Sequence, residues 1–181
     1  MSIAKWRKFD IRLLAVAGSL LLSVYTILLP QLPNDDAYTY IRTAEIYLQG
    51  GLAAAFDHYP WAGYSIVIAW VSQLGVSLFT AAYVLNALFF ALISWAYLSV
   101  LREVDDSPEF LLVATLTILL FPELNEYRYL IIRDTGFWAL ALLALHQLLL
   151  YTRTVRLLHA ALFCLALLLG SCLRPEAIVY L

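Results

Sequence analysis

Charge is what this sequence has least of. Only 13% of its 181 residues are Asp, Glu, Lys or Arg, against roughly a quarter in a soluble domain. That shortage excludes a water-soluble globule, and it equally excludes a disordered chain, which needs high charge and low hydrophobicity. There is no basic excess either: the net charge is −2, so the electrostatic footprint of a nucleic-acid binder is missing. The two cysteines, Cys164 and Cys172, lie inside an apolar run. Their spacing fits neither a metal site nor a disulfide framework, and they read as small apolar residues. What is plentiful is hydrophobicity, 64% of the chain with 14% aromatic and a mean hydropathy of +0.83. The expected fold class is all-α, a polytopic membrane helical bundle, whose few polar residues are where function is sought.

Residues 1–181 read as a single transmembrane domain with about five spans, at 12–29, 80–101, 109–122, 136–152 and 157–173, and an outer loop with surface helices over 30–79. The first span follows Lys5, Arg7, Lys8 and Arg12. It is longer than most signal-peptide cores, and Pro30-Gln31-Leu32-Pro33 offers no small-x-small cleavage pattern, so it is expected to be retained. Basic residues before it and none directly after place the N-terminus in the cytoplasm.

Residues 30–63 form the most polar stretch. Asn34 suits an N-cap, with Asp35 and Asp36 in the first turn where carboxylates favour the helix dipole. Ala37, Ile41, Ala44 and Leu48 recur at helical spacing, Arg42, Glu45 and Gln49 lie opposite, and Gly50-Gly51 is the expected stop. A helix of about four turns with that polarity lies along a membrane surface rather than crossing it. The apolar stretch 64–71 falls short of the ~20 residues a span requires. Counting Lys and Arg does not decide whether it crosses, because both topologies put about seven inside and four outside. Length favours no crossing. Residues 122–136 and Arg174-Pro175-Glu176 then share the outer face with Asp35 and Asp36. Ser107-Pro108 marks the start of the short span at 109–122. The apolar ending, 177–181, suggests the N-terminal part of a longer protein, inactive by itself.

Three polar clusters interrupt the apolar background: Asn34-Asp35-Asp36, residues 123–134, and Arg174-Pro175-Glu176. Carboxylates act as general bases or hold divalent cations, and arginines grip phosphate through paired hydrogen bonds. Such a set suits a phosphate-bearing lipid substrate. Simpler readings stand beside this one. Asp35 and Asp36 also suit a capped interfacial helix, Arg133-Asp134 a helix start with a charge pair, and Arg174 a snorkelling side chain. His58 is a candidate ligand or proton carrier, although a lone loop histidine is more often neither. His146 and His159 read as packing residues.

The order of motifs resembles the GT-C membrane glycosyltransferases, among them the bacterial members akin to protein O-mannosyltransferases and the lipid A aminoarabinose transferase. The resemblance rests on a first helix, then Asp35-Asp36-Ala37-Tyr38 opening a surface helix, Tyr59-Pro60-Trp61-Ala62-Gly63-Tyr64, Arg133-Asp134 opening a later helix, and Leu173-Arg174-Pro175-Glu176. It covers nearly all of this chain but only the N-terminal third to half of such an enzyme. It departs from the pattern at His58-Tyr59-Pro60-Trp61, where many relatives have two prolines after a histidine. The resemblance implies transfer of a sugar from a polyprenyl-phosphate donor to an acceptor lipid, glycan or protein on the outer face, in the cell envelope of a bacterial inner membrane. It implies catalytic roles for Asp35, with Asp36 as neighbour, and for Asp134. Arg128, Arg133, Arg174 and His58 become the substrate-binding candidates. A divalent metal ion on Asp35 or Asp134 is a further expectation, since some relatives use one. The competing class is a non-enzymatic polytopic membrane protein, either a transporter module or a structural subunit.

Overall fold

The computed structural model describes residues 10–29 and 32–180; Lys5, Arg7 and Lys8, on which the cytoplasmic placement of the N-terminus rests, lie outside the described residues. Among the described residues the fold is all-helical. In chain order the helices are α1 (Ile11–Leu28), α2 (Asp35–His58), α3 (Gly63–Ser72), α4 (Leu78–Arg102), α5 (Pro108–Leu120), α6 (Pro122–Asn125), α7 (Asp134–Thr154) and α8 (Leu157–Leu173). A 3₁₀ turn at Glu126–Tyr129 follows α6, and another at Pro175–Tyr180 follows α8. Three helices, α1, α4 and α7, are long and apolar enough to cross a membrane, and the bent pair made by α5 with the segment Pro122–Tyr129 brings the number to four if it counts as one span. At 17 residues, α8 sits at the short end of the ~17–25 that spans use.

Of the three long helices, α1 runs antiparallel to α4, while α4 and α7 run parallel. Arg12, at the start of α1, donates to Ser99 Oγ near the end of α4 at 3.2 Å. Glu103, just past α4, takes Arg153 at the end of α7 at 2.8 Å. At the opposite end, Gly136 in the first turn of α7 abuts Phe89 and Leu173, the last residue of α8. Arg12, Arg102, Glu103 and Arg153 therefore gather at one end of the bundle. The starts of α2 and α7 and the end of α8 gather at the other. Because α4 is 25 residues long, Gln73 and Ser107 lie at its opposite ends. Single cysteines placed there are expected to react with an impermeant thiol reagent from opposite sides of the membrane; reaction from the same side would reject α4 as a span.

Two kinds of packing hold these elements. The spans meet through small residues, Ala15 with Ala114 and Leu98, Gly18 under Leu119, and Ala144 with Ala166. Helices in lipid associate by such close approach, because lipid is as apolar as leucine and gives no hydrophobic drive. At the end of the bundle that carries α2 and α3, by contrast, Tyr40, Ile41, Tyr64 and Ile68 are buried together with Leu85 and Ile131. Burial of a large apolar side chain away from water contributes ~1.5–3 kcal/mol.

Two expectations change. In α2 the anticipated stop is a break within a longer helix: Gly51 has φ 76° and ψ −166°, a region open only to glycine, and helical geometry then resumes to His58. Ala37, Ile41 and Ala44 are buried as the spacing predicts, joined by Tyr40 and Thr43, but Leu48 stays 45% exposed. The span expected over 109–122 breaks earlier. Phe121 precedes Pro122 and takes extended backbone, φ −67° and ψ 110°, because proline's ring crowds a helical predecessor. The chain bends there by 51°. Asn125 covers the exposed end, donating to the carbonyls of Leu119 at 2.8 Å and Phe121 at 3.0 Å.

Candidate functional site

Two asparagines assemble the polar end of the bundle. Asn34 occupies the N-cap position of α2, yet its side chain makes no capping bond. Instead it closes a two-point clamp on Ile131, accepting from the backbone N–H at 2.9 Å and donating to the carbonyl at 3.2 Å. This ties Asp35 and Asp36 to the loop that bears Arg133 and Asp134. Asn86, 1% exposed on α4, donates to the carbonyls of Arg128 and Leu130, both at 3.0 Å, and accepts from the Thr135 hydroxyl at 2.8 Å. It fixes the loop from below. A buried amide with this many partners is costly to disturb, since each partner is left unsatisfied when it goes.

On that frame Asp134, in the first turn of α7, pairs with Arg174 at the C-terminal end of α8, and Arg174 also holds Glu176 at 3.2 Å. The hydrogen bond from Arg174 draws the Glu176 carboxyl below its usual range, and the same bond pushes the Arg174 guanidinium up. Arg133 lies with its guanidinium carbon 5.9 Å from the centre of the Trp61 ring, within cation–π reach. Its Nη1 is buried and has no hydrogen-bond partner. Tyr40, 4% exposed, stands edge-on to Tyr64 at 5.1 Å and Tyr59 at 6.0 Å. Burial, and then Tyr59, raise its hydroxyl pKa; Arg133 opposes the rise, and the carboxylates of Asp36 and Asp134 add to it. Asp35 and Asp36 are both exposed, and His58 is exposed at the far end of α2.

Arg128 corrects the sequence reading. It is 3% exposed, and its guanidinium is consumed by Asn125 Oδ1 at 2.6 Å, the Ser19 carbonyl at 3.0 Å, Ser23 Oγ at 2.8 Å and Ser19 Oγ at 3.1 Å. The Phe90 ring lies 4.3 Å away. Arg128 is a buried tie between α1 and the segment after α5, turned away from any ligand. Arg128→Met is expected to strand those acceptors, at ~1–3 kcal/mol for each left unsatisfied. The yield of folded protein in mild detergent should fall sharply, and Ser19→Ala with Ser23→Ala should fall partway. A folded, equally stable Arg128→Met protein would reject the structural role.

A divalent cation needs several convergent oxygen donors. Among the described residues no group of three or more His, Cys, Asp or Glu comes together, and the Asp134 carboxylate is already held by Arg174. Neither Asp35 nor Asp134 therefore belongs to such a group among the described residues. Tyr40, Trp61, Asn34 and Asn86 were missed as site residues in the sequence. Tyr40 has a weak signal there, sitting one turn after Asp36, but the asparagine clamps join segments far apart in the chain. Compared with known proteins, the chain matches no family model, no curated protein and no solved structure.

Proposed function

We propose that this end of the bundle is the site of a GT-C-type glycosyltransferase, which moves a sugar from a polyprenyl-phosphate donor to an acceptor on the outer face of the membrane. The observation that carries the reading is the buried, unpartnered Nη1 of Arg133, beside a second arginine and at the same end as two exposed adjacent carboxylates. An unpaired buried guanidinium donor is costly, and a phosphate oxygen relieves it with a charge-assisted bond. The acceptor hydroxyl needs a base as it attacks the anomeric carbon, and the departing phosphate needs positive charge. Asp134 is already paired with Arg174. Asp36 shares the field of Arg133 at Tyr40. Asp35 is the exposed carboxylate that remains, and we assign it the proton. By this reading the protein lies in a bacterial inner membrane with its N-terminus in the cytoplasm.

In membranes carrying the natural gene product, Arg133→Ala should lower kcat/KM for polyprenyl-phosphate-linked sugar by roughly 10- to 150-fold, the equivalent of a charged hydrogen bond of ~1.5–3 kcal/mol. Arg133→Lys should recover part of it. No transfer from such a donor by the natural protein would overturn the reading. The competing reading, a transporter module, draws on Arg128, a charge buried beside a broken helix; uptake or efflux without sugar transfer would favour it.

A further inference from the structure

A second concave feature lies on a different face of α7 from α8. A cavity of about 550 Å³ opens between α4, α5, α6 and α7, walled by Ile93, Tyr97, Ile118, Phe121, Trp138 and Leu142. None of its lining residues belongs to the acid–arginine cluster. The α8-facing side of α7 is marked instead by Phe137 and Leu140, which lie against Gly170. The bond between Asn86 and Thr135 marks the upper level of the bundle. Tyr97 lies three turns further along α4, so the floor is about 16 Å deeper at 1.5 Å per residue. The walls belong to α4 and α7, which are long and apolar enough to span, and to the bent α5–α6 pair. Water in such a slot would find too few partners; hydrocarbon fits it.

The mouth selects the headgroup. Glu123 lines it, and no Lys, Arg or His is among the lining residues. Arg128, the nearby cation in the chain, is turned into α1 by its bonds to Ser19 and Ser23. A rigid aromatic pair, Tyr127 edge-on to Trp138 at 5.1 Å and 88°, stands at the same level, where aromatic side chains mark membrane–water boundaries. A headgroup with only negative charge meets an unopposed carboxylate there.

We propose that this cavity binds one acyl chain of a phospholipid bearing a primary ammonium headgroup, with the ammonium on Glu123. The proposal is independent of the sugar-transfer reading, since it uses neither its residues nor its assay. The test reconstitutes the protein in phosphatidylcholine vesicles containing a small equal fraction of phosphatidylethanolamine, phosphatidylglycerol or phosphatidylcholine with brominated acyl chains, which quench tryptophan on contact. The signal of Trp138 is the difference between the natural protein and Trp138→Phe. Brominated phosphatidylethanolamine should quench it several-fold more than the other two. Glu123→Gln, read against the same variant carrying Trp138→Phe, should abolish that excess, and Ile118→Phe should abolish it by filling the slot. Equal quenching by the three headgroups would mean contact with bulk lipid only and would overturn the proposal. A preference for phosphatidylglycerol would reverse its charge logic and reject it. Loss of all excess quenching together with a cross-linked dimer would give the face to a second copy.

Discussion

Asp35→Asn is expected to lower sugar transfer by about 10²- to 10⁴-fold, the usual loss when a general base is removed, whereas Asp36→Asn should cost far less. The two acids occupy the first turn of α2 and point about 100° apart, so they face different surroundings. Asp36 precedes Tyr40 by one turn, and its carboxylate adds to the rise of that hydroxyl's pKa, which burial chiefly causes. Asp35 is exposed, and a base must reach a mobile acceptor. The Asn34 side chain is committed to Ile131 and leaves the helix start uncapped, so Asp35→Asn also forfeits a dipole interaction of ~0.3–1 kcal/mol. That loss is small beside the rate effect and is checked by expression level. Activity should be measured in membranes carrying the natural gene product with a polyprenyl-phosphate-linked sugar. Full activity in Asp35→Asn with loss in Asp36→Asn would reverse the two roles. Full activity in both would leave the carboxylates as helix-start residues and nothing more.

The long helices were readable because hydrophobic runs of span length have few other meanings. So was the start of α2, where polar and apolar residues alternate at helical spacing. Its continuation past Gly51 was hidden, since paired glycines signal a stop in sequence, and only the backbone at Gly51 distinguishes a kink from an end. Residues 109–122 read as one span because the composition is apolar throughout, while the break depends on the conformation Pro122 imposes on Phe121. The clusters at Asp35, Asp134 and Arg174 were legible as islands of charge in apolar surroundings. Which side chains within them meet was not legible. Arg128 and Arg133 look alike in the sequence, yet one is held by Asn125 and two serines of α1 and the other keeps an unpaired donor. Ser19 and Ser23 resemble filler in an apolar helix until the fold brings Arg128 against them.

Gly63→Ala is expected to destabilise the protein more than any other single-methyl addition at the end of the bundle that carries α2 and α3, because α3 begins where the last turn of α8 passes. A Cβ at Gly63 would lie 2.9 Å from the Cys172 carbonyl carbon and closer still to its oxygen. These are backbone atoms, so no side chain can rotate away, and the helix ends must separate. Overpacking of this kind typically costs ~1–3 kcal/mol, above the ~1 kcal/mol that alanine gains over glycine within a helix. The separation also shifts Arg174, which directly follows Leu173, away from Asp134 and Glu176. Stability in detergent and sugar transfer should therefore fall together in Gly63→Ala. Gly51→Ala is the informative contrast: a Cβ there meets nothing within 4 Å, so its cost is backbone strain, and its site geometry should persist. Thermal unfolding of both variants in the same detergent reads the difference. A Gly63→Ala protein as stable as the natural one, or less perturbed than Gly51→Ala, would mean that α3 does not pack against α8 as described, and Trp61 and Arg174 would lose their common footing.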